Sequence, residues 1–420
     1  MKLKNKKIIV VGLGLNGSCV VDKMLKSGAE VIAIDKNNFL NNKLLKKNFL
    51  IEDFKFFLTL KFFLKKVLFI KSINYENPVT LRINRLLKRN KIEVINKNQE
   101  FANYEFNAIN GKANIWGRIS PRYPREYFDI KKKLWPLSYG ELIKHYAKIE
   151  KKLILTGKKE FHTSFNGQIM IKKIFTNFFN KIKNKLLSDS IFSNFFIAPT
   201  LEYSSIIINP FLKKNLNNKK LKILTNSIVT NINCITPNEI NSVEIYDKIQ
   251  HIKISIKADY VFICSSPIET VKLLLNSKSK NYKKGLGNNS GMVGQKFNDH
   301  ISVNYVGILN LFKKINFDLI PYHPTKKLMS FYLLINEKKI KKYLKFIVHG
   351  SISVKHKLIN LYSFSESDTK NQNCIYLSNK KDIYGCNEIK IKFYWSKLEK
   401  RTWNFQKKII NKIVKTFSKS

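Results

Sequence analysis

Six residues near the N-terminus constrain this chain more than any other feature: Gly12-Leu13-Gly14-Leu15-Asn16-Gly17. They follow residues 8–11, a short apolar run rich in β-branched side chains, which reads as a buried parallel strand. After them Cys19, Val20, Met24 and Leu25 recur at helical spacing, and Gly28 stands where a left-handed C-cap is wanted. Residues 31–34 read as a second strand. The pattern is one βαβ unit with a G-x-G-x-x-G in its first turn. There the first glycine permits the tight bend, the second lets a pyrophosphate approach the backbone, and the third lets helix pack on strand. The phosphate charge would lie against the helix N-terminus. Asp35 ends the second strand, where a carboxylate accepts hydrogen bonds from an adenosine ribose. The turn therefore points to a dinucleotide and leaves FAD and NAD unseparated.

Composition adds limits rather than a function. At 420 residues and 44% apolar, the chain can bury a sizeable core and is long enough for two domains. The formal charge of +48 invites a nucleic-acid or anionic-membrane partner, yet only seven residues are Arg. Basic runs such as residues 61–66 and 213–222 are spread along the chain with no Arg-and-aromatic cluster, so they read as solvated faces enriched by an AT-rich coding bias. Five scattered cysteines show neither zinc spacing nor an even disulfide framework, which favours a reducing compartment. Residues 1–15 superficially match a secretory leader, but the glycines at 12, 14 and 17 argue for a strand entering a turn. No run approaches the roughly 20 apolar residues of a membrane span. The expected compartment is the cytoplasm.

Further along, residues 36–100 are the least legible. Ser138 and Glu141 form a capping box before a helix with Leu142, Tyr146 and Ile149 on one face. Residues 221–257 read as three strands, and 260–264 as another. A second box, Ser266-Pro267-Ile268-Glu269, places Pro at the first position of a further helix. Alternating runs at 303–311, 328–334, 346–354, 374–377 and 389–394 suggest an antiparallel sheet, closed by a Lys-rich helix over 397–417.

Several downstream segments carry a resemblance. Asn110-Gly111-Lys112-Ala113-Asn114-Ile115-Trp116-Gly117-Arg118, then Arg122, Phe128-Asp129 and Trp135-Pro136-Leu137-Ser138-Tyr139, form one stretch. Thr225-Asn226-Ser227-Ile228-Val229, Cys264-Ser265-Ser266-Pro267, and the run from Gly291 to Asp299-His300 follow in order. Together they resemble the glucose–methanol–choline (GMC) oxidoreductases, with the gluconate- and sorbitol-dehydrogenase-like branch nearest. Two positions depart from that pattern: Asn110 replaces a glycine, and Ser265-Ser266 stands where Ala-Gly is usual.

The resemblance implies an α/β fold: a Rossmann-like FAD/NAD(P)-binding domain with a second α+β substrate domain built on an antiparallel sheet. The implied boundaries are 1–160 and 200–300 for a discontinuous FAD-binding domain and 301–420 for a partial substrate-binding domain. It implies FAD as cofactor, held by Gly12, Gly14, Gly17, Asp35, Gly111, Asn114, Trp116, Val229 and Ser265, and oxidation of the CH–OH group of a sugar acid, polyol or other alcohol. The family's catalytic His lies in a C-terminal segment that this sequence does not reach, so no catalytic residue is carried over. No His, Cys or carboxylate spacing suggests a metal. Other readings stay open: a remnant without turnover, half of a split enzyme completed by a partner chain, or a basic polyanion-binding protein on an old nucleotide-binding scaffold.

Overall fold

The computed structural model describes residues 3–39, 87–89, 93–95, 104–106, 108–114, 128, 136–154, 183–197, 210–308, 328–353, 358–370 and 372–418. Among the sequence-selected residues, Ile115, Trp116, Gly117, Arg118, Arg122, Asp129 and Trp135 lie outside this set.

The chain opens with strand β1 (Lys7–Val11), helix α1 (Leu15–Lys26) and strand β2 (Glu30–Ile34). Gly28, at φ +87°, ends the helix as its sequence position predicts. Three short strands follow: β3 (Leu87–Arg89), β4 (Glu93–Ile95) and β5 (Tyr104–Phe106). Helix α2 (Tyr139–Ile154) begins at a reciprocal capping box. The Ser138 N–H donates to Glu141 Oε2 at 2.7 Å and the Glu141 N–H donates to Ser138 Oγ at 3.3 Å. Strand β6 (Phe192–Ile197) and the single turn α3 (Pro210–Lys213) lead to β7 (Leu221–Leu224). Strands β8 (Ser227–Thr236), β9 (Glu239–Asp247) and β10 (Lys253–Ile256) form a meander, so residues 221–257 hold four strands rather than three. Strand β11 (Tyr260–Ile263) runs into helix α4 (Pro267–Asn276).

The remaining elements are β12 (Ile301–Ile308), β13 (Leu328–Ile335), β14 (Phe346–Ser353), β15 (Leu358–Ser365), β16 (Cys374–Lys381), β17 (Asn387–Lys392) and helix α5 (Lys397–Ser418). These strands divide between two sheets, not one. The first is antiparallel in the order β12-β15-β14-β13-β6, and the second has the order β16-β17-β4.

The parallel sheet β11-β1-β2-β7 is the middle layer of the first half. Strand periodicity splits β1 between its two faces. Ile8 and Val10 pack with Val21 and Leu25 of α1, while Ile9 and Val11 pack with Ile232, Val243 and Ile245 of the meander and Leu273 of α4. Ile8, Ile9 and Val10 are fully buried. Each such side chain stabilises the fold by about 1.5–3 kcal/mol over exposure, which is why the run must be continuously apolar.

The five-stranded sheet buries one face against α5. Phe331, Leu333, Val348 and Leu361 meet Ile409, Ile410 and Ile413 there. Phe331 lies across Gly350, its partner on the neighbouring strand, and a Cβ at that glycine would collide with the ring. α5 also starts with a capping box: Ser396 N–H donates to Glu399 Oε2 at 2.7 Å and Glu399 N–H donates to Ser396 Oγ at 3.1 Å. α4 is pinned to the smaller sheet by a two-way clamp, Asn276 Nδ2–H to the Asn387 carbonyl at 3.1 Å and Asn387 N–H to Asn276 Oδ1 at 2.8 Å.

Candidate functional site

The carboxyl ends of the parallel strands bring most of the sequence-selected residues together. β1 has β2 on one side and β11 on the other, so the chain order reverses at β1. In an open parallel sheet, ligands bind outside the strand ends at such a reversal. Two turns border this edge, residues 12–14 after β1 and residues 264–266 after β11. Each feeds a helix that starts at this edge, α1 on one face of the sheet and α4 on the other. The ladder reaches the edge intact: Gly12 N–H donates to the Ile34 carbonyl and Cys264 N–H to the Val11 carbonyl, both at 2.7 Å.

The three glycines have different surroundings. Gly12 takes φ +94°, and a Cβ there would sit 2.7 Å from the Cys264 carbonyl oxygen. A Cβ at Gly17 would collide with the Gly12 carbonyl oxygen, so that glycine lets α1 close onto the turn. Around Gly14, among the described residues and apart from its own chain neighbours, no atom lies within 4 Å of the same construction. Two of the positions are closed by protein and one faces open space, which is the cradle a pyrophosphate needs. Gly14 is also the N-cap of α1 and offers its first N–H groups no side-chain acceptor. The residues present therefore fit an anionic group here.

Asp35 is buried at the end of β2. Its Oδ2 accepts from Leu13 N–H and its Oδ1 from Asn37 N–H, both at 2.8 Å. Burial pushes its pKa up, while these two N–H groups and the nearby Lys36 and Lys248 oppose the rise. The carboxylate thus ties the glycine turn to β2, a structural duty its sequence position does not reveal. Each oxygen keeps a second lone pair for a ligand hydroxyl.

The 108–114 segment docks on the same turn. Asn110 N–H donates to the Leu13 carbonyl and Ile109 N–H to the Asn38 carbonyl, each at 3.0 Å, with Ile109 fully buried. Asn110 adopts φ +77° and Gly111 φ +48°, and residues 111–114 form a single 3-10 turn that includes Asn114. Val229 lies on β8 opposite Ile245, just before a bulge at residue 230. Two residues earlier, Ser227 N–H donates to the Asp35 carbonyl at 3.0 Å. Ser265 Oγ lies 3.2 Å from Thr270 Oγ1.

Ser266 departs from its expected role. It is the N-cap of α4, but its side chain caps nothing, and Glu269 pairs with Lys36 at 3.3 Å instead. Capping requires β-region backbone; Ser266 has φ +74° and ψ +159°, which turns its Cβ away from the helix. That conformation belongs almost solely to glycine. Both non-glycine departures, Asn110 and Ser266, thus occupy positive-φ positions. Sequence spacing gives no sign of this.

His300 serves the fold. Its Nδ1 lies 3.1 Å from the Ser365 carbonyl, and Asp299 Oδ1 accepts the His300 N–H, joining the start of β12 to the end of β15. Among the described residues, no group of three or more His, Cys, Asp or Glu is placed to hold a metal, and no helix is long and apolar enough to cross a membrane.

No protein-family model and no curated protein sequence matches this chain. A solved structure described as a new fungal aryl-alcohol oxidase is similar, with TM-score 0.45 and 10% identity over 74% of this chain. The chain spans 55% of that structure's length.

Proposed function

We propose that this chain is the nucleotide-binding bulk of an FAD-dependent oxidoreductase acting on the CH–OH group of an alcohol, polyol or sugar acid. The observation that carries the reading is the division among the three glycines: Gly12 and Gly17 closed by protein, Gly14 open at an uncapped helix start. The ordered resemblance of the downstream segments to GMC oxidoreductases favours FAD over NAD. In this reading residues 12–17 hold the pyrophosphate, Asp35 the adenosine ribose, Val229 the adenine edge, and Gly111, Asn114, Trp116 and Ser265 the rest of the cofactor. When bound, the flavin supplies the hydride acceptor. The chain's own part is to orient the cofactor, shield it from water and hold the alcohol beside it. Residues 1–160 and 200–300 then form the cofactor domain and 301–420 the substrate side, and no catalytic base is assigned.

The test is the visible spectrum of the purified chain after incubation with FAD and gel filtration. Retained oxidised-flavin absorbance supports the reading, and a folded, colourless protein overturns it. Gly14→Glu sharpens the test. The new side chain meets no protein atom near its Cβ, so the fold should survive, while its carboxylate enters the phosphate cradle. Like charge at that distance should weaken FAD binding at least 100-fold, about 2.7 kcal/mol. Unchanged binding would place the cofactor elsewhere.

A further inference from the structure

The loop that joins α4 to β12 concentrates charge of one sign. Between Glu269 and Asp299 the chain has six lysines and no acidic residue. Lys280, Asn281, Lys283, Lys284 and Asn289 line an open concavity of about 320 Å³, and all five are exposed. The backbone beneath them is fixed from several sides. Tyr282 donates its hydroxyl to the Pro237 carbonyl in the β8–β9 turn, and Leu286 N–H donates to the Leu274 carbonyl of α4 at 2.8 Å. Buried Asn288 ties the loop to itself: its Nδ2–H donates to the Lys284 carbonyl and its Oδ1 accepts from Val293 N–H, both at 2.9 Å. Among the described residues, none of the five lining side chains has a hydrogen-bond or ion-pair partner. The basic run at 213–222 is different, because there Lys214 pairs with Asp22 and Lys220 reaches the Gly28 carbonyl. Compensation of the helix dipole does not account for the cluster either, since that attraction fades within the last turn and α4 ends at Asn276.

We propose that this concavity is a binding site for a small soluble molecule carrying two or more linked phosphate groups. Three ammonium groups offer only donors, and the two amides can turn their N–H groups inward. Such a set suits a ligand that presents acceptors on every side and several negative charges, which linked phosphates provide and a single carboxylate does not. Without the anion, three like charges around one hollow repel one another, a cost that a bound polyphosphate removes. The volume stands at the low end of the range for small-molecule sites, which fits a compact anion rather than a long polymer. α4, about 15 Å long over its 10 residues, separates this site from the glycine turns at the other end of the helix. The inference therefore stands independently of the flavin reading.

The probe is inorganic tripolyphosphate, titrated calorimetrically into the full chain at about 150 mM NaCl, where screening cuts the general surface attraction to a range of about 8 Å. The wild type should show one saturable site. Lys280→Ala, Lys283→Ala and Lys284→Ala together should weaken it about 10-fold or more, and Asn281→Ala with Asn289→Ala about 3-fold without any change of charge. The charge-matched control is Lys338→Ala, Lys339→Ala and Lys341→Ala together, exposed lysines elsewhere on the surface, and it should leave the affinity within about 2-fold. If the first triple lowers the thermal midpoint, the amide pair decides alone, since it alters neither the charge nor a buried contact. Equal weakening by the two lysine triples would overturn the site in favour of diffuse surface charge, as would the lack of a saturable site in the wild type. Loss of binding in Gly14→Glu but not in the Lys280, Lys283 and Lys284 triple would overturn it by placing the phosphates in the glycine turn. Capture of the chain by vesicles containing phosphatidylinositol bisphosphate, with no binding of free tripolyphosphate, would give the site to a lipid headgroup and overturn the soluble ligand.

Discussion

Ser266 shows how much one backbone angle can say. A serine with φ +74° and ψ +159° is strained by about 1–3 kcal/mol, and glycine there relieves most of it. Glycine also loses more conformational entropy on folding, by about 0.5–1 kcal/mol. The balance favours the substitution: Ser266→Gly should raise stability by about 1 kcal/mol, read as a higher urea midpoint at unchanged slope. A lower midpoint would mean that the Ser266 side chain makes a contact worth more than its strain. Asn110 carries less strain, because asparagine enters the left-handed region more readily than other non-glycine residues. Gly17 is the opposite case. Alanine there would force α1 off the turn, so a cofactor test at that position would measure unfolding, and Gly14 is the position that separates binding from folding.

At the scale of elements, Asp22 joins three helices. It sits on α1, is 1% exposed, and takes Lys26 at 2.9 Å, Lys152 of α2 at 2.7 Å and Lys214, just past α3, at 2.6 Å. Burial alone would raise its pKa, but the three lysines and Asn215 outweigh it and hold the carboxyl well below the usual carboxylate range. The folded pKa is thus depressed. The stabilisation is fully present above the unfolded value of about 3.9 and drains as pH falls below it towards the folded value. Asp22→Asn should cost about 2 kcal/mol near pH 6, below the 3–5 typical of a broken buried pair because the lysines are 35–52% exposed and screened. Urea midpoints at pH 6 and pH 3 check this, and the variant should lose less on acidification than the wild type. The same elements show what the sequence discloses. β1, α1, β2 and the Ser138–Glu141 box are legible because their signals are local. Ser396–Glu399 has the same box, and a scan for that spacing finds it. β15 and β6 are missed because their apolar residues gain meaning only beside partners distant in sequence, and the false box at Ser266 follows from reading spacing without backbone angle.

At the scale of the whole molecule the charge decides. A net +48 over 420 residues repels itself, and compactness must be maintained against that repulsion. Screening shortens the range to about 10 Å at 0.1 M salt. Raising NaCl from about 20 to 200 mM should therefore raise the thermal midpoint by a few degrees, where a protein of balanced charge would barely respond. The same field draws polyanions, but its carriers are lysines with only seven arginines, so it offers point charges rather than the paired forks that read phosphate geometry. Binding to double-stranded DNA should then be equal for unrelated sequences and fall by about 10³ or more between 50 and 200 mM salt, as counterion release demands for six or more neutralised phosphates. Fluorescence anisotropy with two oligonucleotides of contrasting composition decides the matter. A preference for one that survives 200 mM salt would make nucleic acid a partner in its own right. Its absence leaves the charge as a general surface property.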